Sequence, residues 1–189
     1  NHGVLVPALV REKPTGGYEM ISGHRRKMAS ELAGFENMPC IVRNLSDDEA
    51  VIVMVDSNLQ REEILPSEKA FAYKMKLEAM KRQGQRTDLT SSPLATKLKG
   101  KRSDELLGEQ VGESKDQIRR YIRLTYLIPE ILEMVDDKKI SMRPAVELSY
   151  LPKEEQEVLY DTMESEACTP SHAQAIKIRR FSAEGRLNE

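Results

Sequence analysis

A chain of 189 residues has room for one medium domain or two small ones, and 39% hydrophobic with 32% charged residues describes a globular, mostly helical protein. Its longest purely apolar run, residues 50–55, is six long, which excludes a membrane helix of the roughly 20 residues a bilayer requires. The formal net charge of −2 hides a polarised chain: residues 81–102 hold seven bases and one acid, residues 129–167 eleven acids and four bases.

In chain order, residues 3–10 predict a strand, Pro14, Gly16 and Gly17 a turn, and residues 18–21 its partner strand. Gly23 opens a helix over 24–33 that Gly34 closes from the C′ position. A further strand is expected over 38–42, with Pro39 at its start, where a missing donor is tolerated. Ser46 with Asp47, Asp48 and Glu49 launches a helix to about residue 58, and Ser67 is expected to cap another over 68–83. Gly, Ser and Thr then break periodicity through residues 84–102, a basic linker. Beyond it every element is helical: a helix-turn-helix over 103–126, a helix begun by Pro129 in its first turn, and helices near 143–150, 153–165 and 171–181.

The expected division is therefore residues 1–83 as a mixed α/β domain, 84–102 as linker and 103–189 as an all-α domain. The opening on a strand at Asn1 and the abrupt end at Glu189 suggest a piece of a longer protein. No signal peptide is legible at the start. Cys40 and Cys168 lack metal-ligand spacing, which fits reduced thiols and a cytoplasmic location.

The stretch from Val111 to Arg123 is the most informative. Gly112 can take a positive φ at a sharp turn, and Ser114 can cap the helix that follows. Leu106, Leu107, Val111, Ile118, Ile122 and Leu124 fall where two crossed helices bury apolar positions, and Gly108 allows close approach. Lys115, Asp116 and Gln117 would reach base edges, while Arg119, Arg120 and Arg123 would take bases or phosphates; Arg102 would add a phosphate contact from the linker. The competing reading is an ordinary helical hairpin with a solvated charged face.

Two constellations lie upstream. Ser22-Gly23-His24-Arg25-Arg26 combines helix N-terminal amides with two guanidiniums, which suits phosphate or surface ion pairs. Asp56-Ser57-Asn58-Leu59-Gln60-Arg61 ends a helix; Asn58 can ligate a hard cation and Arg61 can clamp an anion, or the segment is only a polar terminus. His24 has no partner at ligand spacing, and His2 and His172 read as surface or terminal residues.

Gly3-Val-Leu-Val-Pro7, Gly23-His-Arg-Arg26, Asn58-Leu-Gln-Arg61 and Val111-Gly-Glu-Ser114 occur in one order, followed by Leu127-Ile-Pro129 and Ile140-Ser-Met-Arg-Pro-Ala145. This set, spanning nearly the whole chain, resembles the ParB family of plasmid and chromosome partition proteins. The resemblance implies an α+β architecture: a small ParB-like N-terminal domain that binds CTP with Mg²⁺, then an all-α helix-turn-helix domain that binds a palindromic double-stranded DNA site. It also implies a dimerisation domain beyond these, a homodimer that closes as a clamp, a Walker-type ATPase partner and a nucleoid-associated location. By resemblance Gly23, His24, Arg25 and Arg26 lie at the triphosphate, Gly3 and Pro7 on the base side, Asn58 at Mg²⁺ and Arg61 beside it. Where the family usually carries Glu, this chain has His24 and Ser57, so nucleotide binding is expected with weak or absent hydrolysis. The rivals are a helix-turn-helix transcription regulator or nucleoid-associated factor with a vestigial pocket, and a ParB-type nuclease; no carboxylate cluster marks a two-metal centre.

Overall fold

The computed structural model describes residues 4–60, 63–87 and 103–187, with residues 84–87 described by backbone alone. Among them, packing divides the chain into two units: residues 4–60 with 75–87, and residues 63–74 with 103–187. This differs from a boundary at residue 83, because the helix over residues 66–87 contributes to both units.

The first unit holds a three-stranded sheet of order β2-β1-β3, with β1 at Ala8–Glu12, β2 at Tyr18–Ser22 and β3 at Cys40–Val42. β1 pairs antiparallel with β2 and parallel with β3. Gly16 (φ 89°) and Gly17 (φ 79°) turn the hairpin, left-handed conformations that glycine adopts without a Cβ penalty. β1 starts at Ala8 rather than residue 3, and its alternation buries Ala8 and Val10. Helix α1 (His24–Leu32) ends as expected: Gly34 has φ 76°, and the Phe35 amide donates to Ser30 O at 3.0 Å. Helix α2 (Asp47–Leu59) starts in a capping box formed by Ser46 and Glu49. The Ser46 bonds hold the Glu49 carboxyl below its ordinary range.

Helix α3 runs Pro66–Thr87, and its start corrects the expected Ser67 cap. Ser67 is inside the helix, and the Asp136 carboxylate takes both its amide (2.9 Å) and its hydroxyl (2.5 Å). Pro66, preset in φ and lacking a donor, begins the helix two residues before the expected start at residue 68. Farther along, Lys76 is buried against Asp56, and Arg82 reaches Asp48.

The second unit is helical: α4 (Ser103–Val111), α5 (Lys115–Leu124), α6 (Pro129–Asp136), α7 (Met142–Leu148), α8 (Lys153–Ser165) and α9 (His172–Ala183). Its core gathers Leu124, Ile131, Ile140, Ala145, Leu148 and Ala175, all at most 2% exposed, with Ala70 from α3. Buried Gln156 joins three connections at once, accepting from the Ile128 amide and donating to Tyr126 O and Leu151 O. Among the described residues no helix is long and apolar enough to cross a membrane.

Candidate nucleic-acid and nucleotide sites

The helix-turn-helix is α4, a three-residue turn and α5. Gly112 in the turn has φ 71°, and Ser114 Oγ accepts the Gln117 amide at 3.1 Å, so both turn residues act as the sequence predicts. Gly108 is needed for a neighbour other than the facing helix: a Cβ there would stand 2.6 Å from Glu113 O, in the turn itself. Ile118 and Leu124 are buried, whereas Lys115, Asp116, Arg119 and Arg120 are exposed and Gln117 is half-buried.

The cations of α5 differ in their surroundings. Lys115 Nζ lies 3.1 Å from Glu105, and Arg119 contacts Asp104 through Nε (2.9 Å) and Nη2 (2.5 Å). Arg123, expected at bases or phosphates, is engaged within its own unit. Its Nε donates to Ser149 Oγ at 3.0 Å and its Nη2 to Ser149 O at 2.8 Å, and its guanidinium lies over Tyr126 (4.6 Å) and Tyr150 (3.8 Å). Arg179, held by Glu147, covers Tyr150 at 3.6 Å. Arg123 therefore ties the last turn of α5 to the end of α7. Arg102 lies outside the described residues.

A second group steadies the turn, and nothing local in the sequence marks it. Lys69 of α3 pairs with Glu113 at 3.1 Å and lies 5.3 Å from the Tyr121 ring centroid, and Tyr73 meets Tyr121 edge-on at 5.6 Å. Burial, then the Glu113 carboxylate, pushes the Tyr73 hydroxyl far above its ordinary value. These partners lie some forty residues upstream of the motif they support, so no local periodicity could reveal them.

In the first unit the two upstream motifs meet. Ser22 Oγ and Ser57 Oγ are hydrogen-bonded at 2.7 Å, joining the end of β2, just before Gly23, to the last turn of α2, beside Asn58. Gly23 has φ 115°, and a Cβ on it would stand 2.7 Å from Ala8 Cβ, so glycine is required for both reasons. His24 and Arg25 are exposed at the start of α1, where backbone amides of the first turn point outward. Arg26 turns back instead, donating from Nη1 to Val6 O (2.7 Å) and Pro7 O (2.6 Å). It thus braces the segment containing Pro7. Asn58 is exposed; Gly3 and Arg61 lie outside the described residues.

The amide-rich start of α1 beside an arginine suits a polyphosphate. The metal fits less fully: among the described residues no three His, Cys, Asp or Glu side chains gather as a metal site. Asp56, the nearest acid in sequence to Asn58, is paired with Lys76 at 2.5 Å. Mg²⁺ held by Asn58 would therefore depend on phosphate and water oxygens for its other ligands.

Comparison with known proteins gives these sites a family. The ParB N-terminal domain matches residues 1–59 and the ParB HTH domain residues 62–177. A nucleoid occlusion protein of Listeria monocytogenes serotype 4b (strain CLIP80459) is 36% identical over 157 residues, 83% of this chain and 48% of the relative. A protein of Vibrio cholerae serotype O1 named "Probable chromosome-partitioning protein ParB" is 29% identical over 156 residues, 82% of this chain and 46% of its own length. The chain thus spans about half the length of the curated relatives it matches. In fold it is similar to the C-terminally truncated chromosome-partitioning protein ParB from Caulobacter crescentus, a structure complexed to the centromeric parS site. The TM-score is 0.51 at 20% identity, covering 95% of this chain and 83% of that one. With its N-terminal and helix-turn-helix parts both matched in order, this chain belongs to the ParB family.

Proposed function

We propose that the chain is the nucleotide- and DNA-binding core of a ParB-type partition or nucleoid occlusion protein. One observation carries the reading: α5, capped by Ser114, exposes Lys115, Arg119 and Arg120 within a span that matches the ParB HTH domain. Such a helix enters a major groove with its first residues at base edges and its arginines at bases or phosphates. Family membership supports a palindromic site, a homodimer of the whole protein acting as a clamp and a Walker-type ATPase partner. Sequencing of DNA crosslinked to the whole protein in cells tests this. Expected is one broad peak spreading from a palindrome; sharp peaks at many promoters would instead identify a transcription regulator. Gln117→Ala is expected to relax base preference at one position, at a cost of about 1–3 kcal/mol on the cognate site.

The first unit is the switch in this reading. The Ser22–Ser57 bridge supports it, since it sets the Gly23 helix start beside the turn bearing Asn58. CTP would meet the amides at the start of α1 with His24 and Arg25, while Arg26 holds the Val6–Pro7 backbone in place. Mg²⁺ would screen the phosphate charge from Asn58. Hydrolysis is expected to be slow, because His24 and Ser57 replace two carboxylates and Ser57 is engaged with Ser22. Calorimetry with CTP and Mg²⁺ should give binding, and a phosphate-release assay under the same conditions should give little product. Rapid release would remove the second half of this reading.

A further inference from the structure

Asp104 and Arg119 make a pair with a direction built into it. Asp104 sits in the first turn of α4, and its side chain is 12% exposed. One of its oxygens accepts the Glu105 amide at 3.1 Å; the other accepts Nε and Nη2 of Arg119. The carboxylate is thus fixed by its own helix before it meets the arginine. Burial pushes the Asp104 carboxyl up, but the hydrogen bonds and charge of Arg119 outweigh burial and hold it below its ordinary range.

A guanidinium is planar and presents two forks, Nε with one terminal nitrogen along its side and the two terminal nitrogens at its tip. Asp104 occupies the side of Arg119. The tip, Nη1 with the second hydrogen of Nη2, is not part of that contact, and the side chain is 49% exposed. A tip fork in a fixed plane matches O6 and N7 of guanine, which require two parallel donors, whereas a phosphate accepts from almost any approach. Restraint before binding also lowers the entropy lost on docking. Neither neighbour offers the same: Lys115 is a point charge beside Glu105, and Arg123 spends its side fork and its faces on Ser149 and two tyrosines.

We propose that Asp104 is a specificity-determining positioning residue that holds Arg119 as a guanine reader in the major groove. The proposal rests on the DNA-binding reading of α5 and assigns that reading a residue pair and a base.

The test is selection of randomised DNA duplexes by the 189-residue chain, by Asp104→Ala, Asp104→Asn, Arg119→Lys and Arg119→Ala, and by the double variant Asp104→Ala/Arg119→Ala. Wild type should enrich a motif in which one guanine loses about tenfold preference in Arg119→Ala and in Arg119→Lys, the fold-change of a lost bidentate contact. Asp104→Ala should lose preference at that same guanine, and the double variant should lose no more than either single. Asp104→Ala should also bind an arbitrary duplex more tightly, since it removes an acid beside the reading face; mere misfolding would weaken both. Asp104→Asn keeps the shape without the charge and should show a partial loss at the same position, which preserves the test if the alanine variant fails to fold. An unchanged guanine preference in both Asp104 variants, or a loss spread over all positions, overturns the proposal while leaving the DNA reading intact. A folded wild-type chain that enriches no sequence overturns the DNA reading, and the proposal with it.

Discussion

Single residues explain why the first unit is both legible and incomplete in the sequence. Gly23 was identifiable as a helix opener, but its closeness to Ala8 is a contact across fifteen residues that only the folded sheet creates. Gly23→Ala therefore meets two penalties, a left-handed φ of 115° and a Cβ 2.7 Å from Ala8 Cβ, flanked by Ala8 Cα at 3.2 Å. Backbone and a methyl group cannot swing aside as a long side chain would. We expect a loss of roughly 2–5 kcal/mol in the first unit, from αL strain of about 1–2 kcal/mol plus overpacking of about 1–3 kcal/mol. Urea unfolding followed by far-UV circular dichroism checks this. A change below about 0.5 kcal/mol would mean that β1 yields more easily than its pairing to β2 and β3 suggests. Ser57 teaches the complementary lesson. As a replaced carboxylate it looked like a loss, yet it supplies the hydroxyl that meets Ser22. A missing charge is visible in a sequence; its new partner is not.

At the scale of elements, the sequence predicted where helices exist better than how they end. The caps at Ser46 and Ser114 and the first-turn Pro129 are local signals, and each occurs in the structure. Asp136 capping α3 is not local, since its carboxylate comes from the last turn of another helix. Two helix ends lack the glycine that chemistry favours. Lys138 (φ 62°) follows α6 and Ala167 (φ 48°) follows α8, both left-handed. The Cys168 amide returns to Met163 O at 3.2 Å and the Lys139 amide to Met134 O at 2.9 Å, the wrap that normally calls for glycine. Ala167 is exposed, so replacing it removes strain without opening a cavity. Ala167→Gly should stabilise the second unit by about 0.5–1 kcal/mol, a rise of roughly 1–4 °C in Tm. In contrast Ala29→Gly, at an exposed position inside α1, should destabilise by about 1 kcal/mol through backbone entropy. Thermal melts of both variants decide the matter; equal signs would show that φ at residue 167 carries no strain.

For the whole molecule, composition indicated a chain able to support two cores but not how unequally they are filled. Among the described residues the first unit buries Ala8, Val10, Ile21, Ala50, Val55 and Ala79, three of them alanines. It leaves Leu5, Val6, Met28, Leu32, Ile41 and Val42 exposed. The second unit buries Leu107, Ile118, Leu124, Ile131, Leu132, Met134, Val135, Ile140 and Leu148, further joined by the Gln156 bonds. At about 25 cal/mol per Å² of apolar surface removed from water, larger side chains in a continuous core favour the second unit. Local opening free energies follow such differences. Hydrogen exchange on the chain without ligand should thus find the slowest amides in α5 to α7, near Leu124, Ile131 and Leu148, and faster exchange throughout α1 and β3. Addition of CTP and Mg²⁺ should slow exchange first at residues 22–27 and 55–59, since a ligand stabilises what it binds by mass action. Slowing confined to the second unit would contradict the assigned pocket, because Gly23 and Asn58 both belong to the first unit.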